Sequence, residues 1–169
     1  MMSTLTNLLR RLGASACHAG TDSSQPWPAP LFRWGQSLAL LGARVYVAKV
    51  FFFSGLTKLR DWDTTLALFH DEYQVPLLPP ALAAYAGTAG EVLLPVLLLL
   101  GLATRFAAAG LSVVNLMAVL SLAEIAPAAL LGHQWWGSLL LAVLLWGAGR
   151  ISVDQALQAR FKSWFSRSA

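Results

Sequence analysis

The chain has 169 residues, of which 57% are hydrophobic and 12% are charged. Because soluble domains carry roughly 25% charged residues on average, the composition excludes an ordinary soluble domain and predicts a membrane protein of one domain. The net charge of +4 comes from basic residues that are scattered or flank apolar runs, which indicates orientation signals and lipid head-group contacts rather than nucleic-acid binding.

The first 35 residues are predicted to form a flexible cytoplasmic tail. They include a Ser- and Pro-rich stretch at residues 20–30, and no apolar signal segment follows Arg10 and Arg11. Cys17 is the only cysteine of the chain, so an intramolecular disulfide or a dithiol centre cannot form. The sequence therefore excludes the membrane oxidoreductases that work through a cysteine pair.

Four apolar runs follow the tail, at residues 38–56, 81–103, 106–123 and 135–148. A membrane-spanning helix needs roughly 20 apolar residues, and a helix satisfies its own backbone hydrogen bonds in lipid. The predicted fold class is therefore all-α, an integral membrane four-helix bundle within residues 36–154. Residues 155–169 are expected to form an amphipathic cytoplasmic tail, because aromatic and basic residues occur together there.

The distribution of basic residues predicts the orientation of the bundle. With four spans, both tails share one side of the membrane with the turn near Arg105, and most of the basic residues lie on that side. The positive-inside rule then places both termini in the cytoplasm. The expected location is a bacterial-type inner membrane, and the lipid bilayer is the first expected partner.

The loop between the first and second runs, residues 58–80, is predicted to lie on the opposite side. Asp63 or Thr64 can cap a short helix that continues to Phe69. The apolar face of this helix is expected to rest on the bilayer surface. A loop of this length with its own structure is typical of a lid or a docking surface.

Glu91 is the only residue of the second run that is expected to be charged at neutral pH. A carboxylate in hydrocarbon is costly unless it is paired or protonated, and Pro95 cannot donate a hydrogen bond to the carbonyl of Glu91. We expect Glu91 to pair with Arg44, Lys49 or Arg105. The sequence leaves two roles open for this candidate catalytic residue, a proton relay and a structural ion pair.

The first run carries four further candidates on one face. Arg44, Phe51, Gly55 and Lys58 follow one another at spacings of 7, 4 and 3 residues, which places them within about 60° around the helix. Arg44 is expected to be buried in a binding role, and Gly55 to permit close approach of a neighbour. Lys58 either binds a ligand or extends to the membrane surface.

Asn115 and His133 are the remaining candidates for binding. Asn115 lies in the middle of the third run, where it either joins two helices or contacts a ligand. His133 lies at the start of the fourth run, as a proton shuttle or as an ordinary interfacial histidine. No metal site is predicted, because the positions of the histidines match neither haem nor zinc ligation.

The segment RVYVAKVFFFSGLTKL at residues 44–59 resembles the DoxX family of small four-helix membrane proteins. Further matches follow in chain order at Val75-Pro76, at Glu91, in the LGLATR turn of residues 100–105 and in GAGRISVD of residues 147–154. The polar or special positions that match are Arg44, Gly55, Lys58, Glu91, Arg105, Arg150 and Asp154, of which Arg150 with Asp154 is taken as a structural motif.

The resemblance implies several functions, because some DoxX-like proteins are subunits of thiosulfate:quinone oxidoreductases and others are linked with sulfur-redox or oxidative-stress complexes. The first hypothesis is a quinone-interacting redox subunit with no intrinsic cofactor, which acts with a redox partner protein. The alternatives are a non-catalytic anchor, assembly or maturation partner and, third, a small proton-coupled transporter. Small residues such as Gly87, Gly90 and Gly110 suggest a homo-oligomer.

Overall fold

The computed structural model describes residues 29–165, with side chains for residues 31–159. The described chain is all-helical, which confirms the predicted fold class. Its helices are α1 (Ala29–Arg60), α2 (Trp62–Asp71), α3 (Pro80–Leu100), α4 (Thr104–Leu120), α5 (Pro127–Trp146) and α6 (Val153–Phe165). The described residues from Trp34 onward belong to one compact unit, and the core of the bundle lies within it.

Among the described helices, three are long and apolar enough to cross a membrane, namely Leu31–Arg60 within α1, Pro80–Leu100 and Pro127–Trp146. The fourth, α4, is an apolar helix of 17 residues, which corresponds to about 26 Å and to the lower limit for a span. Together these four helices form an integral membrane bundle.

Two helices begin well before the apolar runs that predicted them. The prediction placed the start of the first span at residue 38 and of the fourth at residue 135, whereas α1 begins at Ala29 and α5 at Pro127. Hydropathy finds the apolar part of a helix, but backbone bonding continues through polar residues, and Pro127 is favoured in the first turn. Residues 29–35, which the sequence assigned to the tail, therefore belong to α1; the rest of that predicted tail lies outside the described residues.

The apolar core lies between the four long helices of the bundle. Val47 and Phe51 of α1 meet Leu98 of α3, Leu111 of α4 and Leu140 of α5 in one buried cluster. The ring of Phe51 also contacts Trp136 of α5 edge-on, at 6.0 Å between centroids. Helix α4 packs on both α3 and α5, and α1 joins the same core through Val47 and Phe51.

The small residues suggested for self-association serve contacts inside the chain. A Cβ added at Gly110 would lie 2.7 Å from Leu94, and one at Gly90 would lie 3.0 Å from Val114. These glycines therefore let α3 and α4 approach closely. The homo-oligomer stays a prediction, because these contacts lie within one chain.

The short helix α2 begins earlier than predicted and packs differently. Asp61, rather than Asp63 or Thr64, is its N-cap, and its carboxylate accepts hydrogen bonds from the backbone N (3.1 Å) and hydroxyl (2.7 Å) of Thr64. Phe69 is buried against Ala83 and Ala84 of α3, because these small side chains leave room for a ring. The face predicted to rest on the bilayer therefore packs on α3.

Candidate functional site

Glu91 forms an ion pair with Lys58, and this pair joins α3 to α1. The Nζ of Lys58 lies 2.5 Å from Oε2 of Glu91, and only 22% of the lysine side chain and 10% of the glutamate side chain are exposed. The prediction that Glu91 pairs with Arg44, Lys49 or Arg105 is therefore wrong. Lys58, predicted only as a separate candidate, is the partner.

Gly55 is the residue that allows this pairing. A Cβ at Gly55 would lie 2.8 Å from Cγ2 of Val92 and 3.1 Å from the carbonyl carbon of Glu91, so α1 and α3 touch at this point. Lys58 follows Gly55 by one turn and also donates a hydrogen bond to the hydroxyl of Ser54, at 3.1 Å. The SGxxK sequence thus supplies the helix contact at Gly55, the cation of Lys58 and the hydroxyl of Ser54 that orients this cation. The role of Ser54 was not predicted.

We expect Gly55→Ala to lower the free energy of unfolding by about 1–3 kcal/mol, because the added methyl group overpacks the contact between α1 and α3. Gly42→Ala is the matched control in the same helix, since a Cβ there meets nothing within 4 Å. Alanine favours the helix over glycine, so this control should keep or raise stability. Thermal unfolding of both variants in detergent measures the difference, and equal midpoints would contradict the prediction.

Tyr73 lies in the loop that covers the end of the bundle where α2 is found, called here the α2 end. Its ring packs edge-on against Phe69 at 5.0 Å. Burial raises the pKa of the Tyr73 phenol, and the negative charges of Glu72 and Glu91 raise it further. No sequence pattern marked Tyr73, because its loop has no periodicity.

Asn115 and His133 were predicted separately, and the structure brings them together between α4 and α5. The side-chain amide Nδ2 of Asn115 donates to the carbonyl of His133 at 3.0 Å. This leaves the amide oxygen 2.9 Å from Nδ1 of the ring, so Nδ1 carries the proton that this contact needs. The pair holds two helices together in the same half of the bundle as Glu91.

Arg44 lies toward the opposite end of the bundle, where α6 begins, called here the α6 end. Its guanidinium donates to the carbonyls of Leu98 (2.9 Å) and Leu99 (2.8 Å) in α3, and to those of Ala148 (2.7 Å) and Ile151 (2.9 Å) after α5. The side chain is 1% exposed. Arg44 therefore satisfies two of the last carbonyls of α3 and two carbonyls of the segment after α5, and its predicted buried position is confirmed.

Asp154 caps α4 from a distant part of the chain. Its carboxylate accepts from the backbone N of Ala103 (2.9 Å) and from the backbone N (3.0 Å) and hydroxyl (2.8 Å) of Thr104. The N-cap residue of α4, Ala103, has no side chain that could do this. Negative charge at a helix N-terminus is also stabilising, so the GAGRISVD segment is a structural part of the bundle.

The other two basic candidates also lie at the α6 end. Arg105 donates to the carbonyl of Leu145 at 3.3 Å, and so joins α4 to α5. The guanidinium of Arg150 lies 5.3 Å from the centre of the Trp34 ring, which is a cation–π distance. Neither arginine contacts Glu91, and both hold the ends of helices in place.

Burial by itself would raise the pKa of Asp154, but the hydrogen bonds from Thr104 and Ala103 and the charge of Arg44 outweigh it, and the pKa lies below its ordinary value of 3.8. A carboxyl with a lowered folded pKa stabilises the fold above its unfolded pKa and loses this contribution as the pH falls through the folded value. We expect Asp154→Asn to lower the free energy of unfolding by about 1 kcal/mol at pH 7. Below pH 3.8 the variant should lose less stability than the wild type does, because it has no carboxylate to protonate. Thermal unfolding between neutral and acid pH tests this, and an unchanged profile would contradict it.

An apolar groove of about 510 Å³ lies beside the ion pair at the α2 end. Its lining residues come from the end of α1, the start of α2 and the middle of α3: Leu59, Trp62, Tyr85, Thr88, Ala89, Val92 and Leu93. Leu59 and Val92 directly follow Lys58 and Glu91 in the chain. The sequence did not identify this groove, because its lining residues come from three helices.

The DoxX family model matches residues 39–124, a range that includes Arg44, the ion pair and the groove. No curated protein and no solved structure matches the chain significantly.

Proposed function

The chain belongs to the DoxX family of membrane proteins, and we propose that it is a quinone-interacting subunit of a membrane redox system. In this proposal the protein lies in a bacterial-type inner membrane with both termini in the cytoplasm, so that the α2 end faces outward. A reduced sulfur compound or a redox partner protein supplies two electrons to the quinone, and the Lys58–Glu91 pair supplies and regains protons.

The observation that supports this proposal is the position of the ion pair beside the apolar groove. A buried ion pair adds little net stability, because removing both charges from water costs about as much as their attraction returns. An ionisable residue inside a membrane protein is by default a functional candidate. Here the pair adjoins a space of about 510 Å³ with aromatic walls, which is within the usual size of a ligand site.

Lys58 has hydrogen-bonding capacity left for a ligand. A lysine ammonium has three donors, and two of them bond to Glu91 and Ser54. The third is available to a quinone oxygen, whose negative charge grows during reduction and is stabilised by a nearby cation. Glu91 can transfer a proton to that oxygen and recover it through the polar groups at the α2 end.

Extraction of the protein from its native membrane tests the proposal directly. We expect quinone to co-purify with the wild type at about one molecule per chain and to be lost from Lys58→Met. Because Lys58→Met leaves Glu91 unpaired, Lys58→Met/Glu91→Leu removes both charges and should fold but bind no quinone. Lys49→Met is the matched control, since Lys49 is exposed on the same helix. Absence of quinone from the wild type would overturn the proposal.

The second candidate, a non-catalytic anchor for a partner protein, draws on a different observation. Arg44, Arg105 and Asp154 serve the fold, while α2 and its following loop present exposed carboxylates at Asp63, Asp71 and Glu72. Because all three side chains are exposed, charge reversal at these positions should leave the packing of α2 on α3 intact. Loss of a stoichiometric partner from the detergent-purified complex, with unchanged quinone content, would favour the anchor.

A further inference from the structure

Thr88 is the most unusual of the residues that line the apolar groove. It is 3% exposed, and its hydroxyl is the one buried side-chain oxygen or nitrogen without a hydrogen-bond partner in the part of the chain with described side chains. A threonine in a helix ordinarily bonds the carbonyl one turn before it, and leaving a buried hydroxyl unpaired is costly. Such a group needs an explanation, and an acceptor supplied by a ligand is one.

The depth of Thr88 restricts what that ligand can be. Helix α3 has 21 residues and a length of about 31 Å, equal to the thickness of the hydrocarbon layer. Thr88 follows the first residue of α3 by eight positions, so its hydroxyl lies about 12 Å along the helix from that end. The ester groups of phospholipids stay near the membrane surface, and an acyl chain at this depth offers no hydrogen-bond acceptor.

The walls of the groove suit a flat ring. The rings of Trp62 and Tyr85 lie against each other with centroids 4.7 Å apart and planes at 42°, and Leu59, Val92 and Leu93 add branched aliphatic surface. Aromatic side chains offer large, rigid faces on which a planar group can stack. Thr88 precedes Glu91 by three residues and therefore lies on the same side of α3, so a ring held by Thr88 is beside the ion pair.

We propose that this groove is the binding site of the quinone ring and that the Thr88 hydroxyl donates a hydrogen bond to one quinone carbonyl oxygen. The isoprenoid tail then leaves the groove into the bilayer between α2 and α3. This proposal rests on the function proposed above and deepens it by giving the quinone a place and a donor. It assigns Thr88 to ligand binding, and it leaves proton transfer to Glu91.

Thr88→Val tests the hydrogen bond, because valine has nearly the same shape and lacks the hydroxyl. The full chain in phosphatidylcholine nanodiscs is titrated with decylubiquinone, and Kd is taken from the ligand-dependent unfolding temperature. We expect Kd to rise about tenfold. Without ligand, Thr88→Val should unfold at a higher temperature than the wild type, since the unpaired hydroxyl is gone. A change in the ligand-free protein alone, with an unchanged Kd, would overturn the role of Thr88.

Ala89→Trp tests the groove itself by filling it. We expect Kd to rise by about 100-fold or more, since a ring in the groove and the indole cannot both fit. Ala86→Trp is the matched control, because Ala86 is exposed on the same helix and does not line the groove; its Kd should stay within about twofold of the wild type.

The outcomes separate this inference from the proposed function. Wild-type protein that binds no decylubiquinone would overturn both. Wild-type binding that Ala89→Trp leaves intact would overturn the groove as the site and leave a quinone-binding function standing. Decylbenzene, which has the ring and chain but no carbonyl, should compete at least tenfold more weakly than decylubiquinone; equal competition would show an unspecific lipid groove and overturn the inference.

Discussion

Glu91→Gln is expected to lower the rate of quinol formation by about 100-fold or more, because general acid–base catalysis contributes factors of about 10² to 10⁴. Glutamine keeps the size of the side chain and an oxygen that can accept from Lys58, but it cannot carry a titrating proton. The measurement is the initial rate with decylubiquinone and thiosulfate, in membranes that contain the protein and its redox partner. The rate is expressed per folded chain, because Lys58 loses its counter-ion in this variant.

Two controls distinguish a proton relay from a structural ion pair. Glu124→Gln removes an exposed carboxylate after α4 and should leave the rate unchanged. Glu91→Asp keeps the carboxylate at a shorter reach and should restore part of the rate. If Glu91 serves only to hold α1 against α3, Glu91→Gln will lower the unfolding temperature while the rate per folded chain stays at the wild-type value, and the relay is then refuted.

The polar residues of the bundle fall into two groups, which differ in whether their hydrogen-bond donors and acceptors are already used within the protein. At the α6 end, Arg44 and Asp154 bond to backbone groups at helix ends, and this use exhausts most of their hydrogen-bonding capacity. At the α2 end, Lys58 and Thr88 have donors that no described residue accepts. Unused hydrogen-bonding capacity beside a groove supports the proposed ligand binding, whereas hydrogen bonds to backbone groups at helix ends indicate a role in folding.

The sequence analysis identified both residues of the ion pair, but it did not predict that they pair with each other. Glu91 was found because a carboxylate in an apolar run is costly, and Lys58 because it shares a helical face with Gly55. The pairing itself depends on the register of α1 against α3, which the contact between Gly55 and Val92 determines. Arg44 precedes Gly55 by eleven residues, or about 16 Å, so it is out of reach of Glu91. This alignment of α1 against α3 cannot be read from the sequence pattern of either helix alone.

The positions of the helix ends were also predicted only approximately from the sequence. Hydropathy located four helices of the bundle but placed the start of α1 and α5 too late, because it measures the apolar part of a helix and not its hydrogen bonding. The cap of α2 was placed at Asp63 or Thr64, although Asp61 bonds to Thr64. Local rules allow an N-cap at any of several residues in this stretch, so the sequence alone could not decide among them.

Arg44→Lys is expected to lower the free energy of unfolding by about 2–4 kcal/mol, because each buried carbonyl that loses its donor costs about 1–3 kcal/mol. The planar guanidinium reaches four carbonyls from three nitrogens, whereas an ammonium has three donors at a single point. At least one carbonyl of α3 or of the segment after α5 is then buried without a partner. In a chain of this size the loss corresponds to a fall of about 10 °C in the unfolding temperature.

Lys49→Arg is the reciprocal control, because Lys49 is exposed on the same helix and the exchange should change stability by less than about 0.5 kcal/mol. Gly101→Ala offers an independent test of the same contact, since a Cβ there would lie 2.5 Å from Nη2 of Arg44 and Gly101 has a φ of +69°. If both substitutions act through one network, the double variant should lose clearly less stability than the sum of the two single losses. Additive losses would mean that the guanidinium and the turn at Gly101 stabilise the bundle separately.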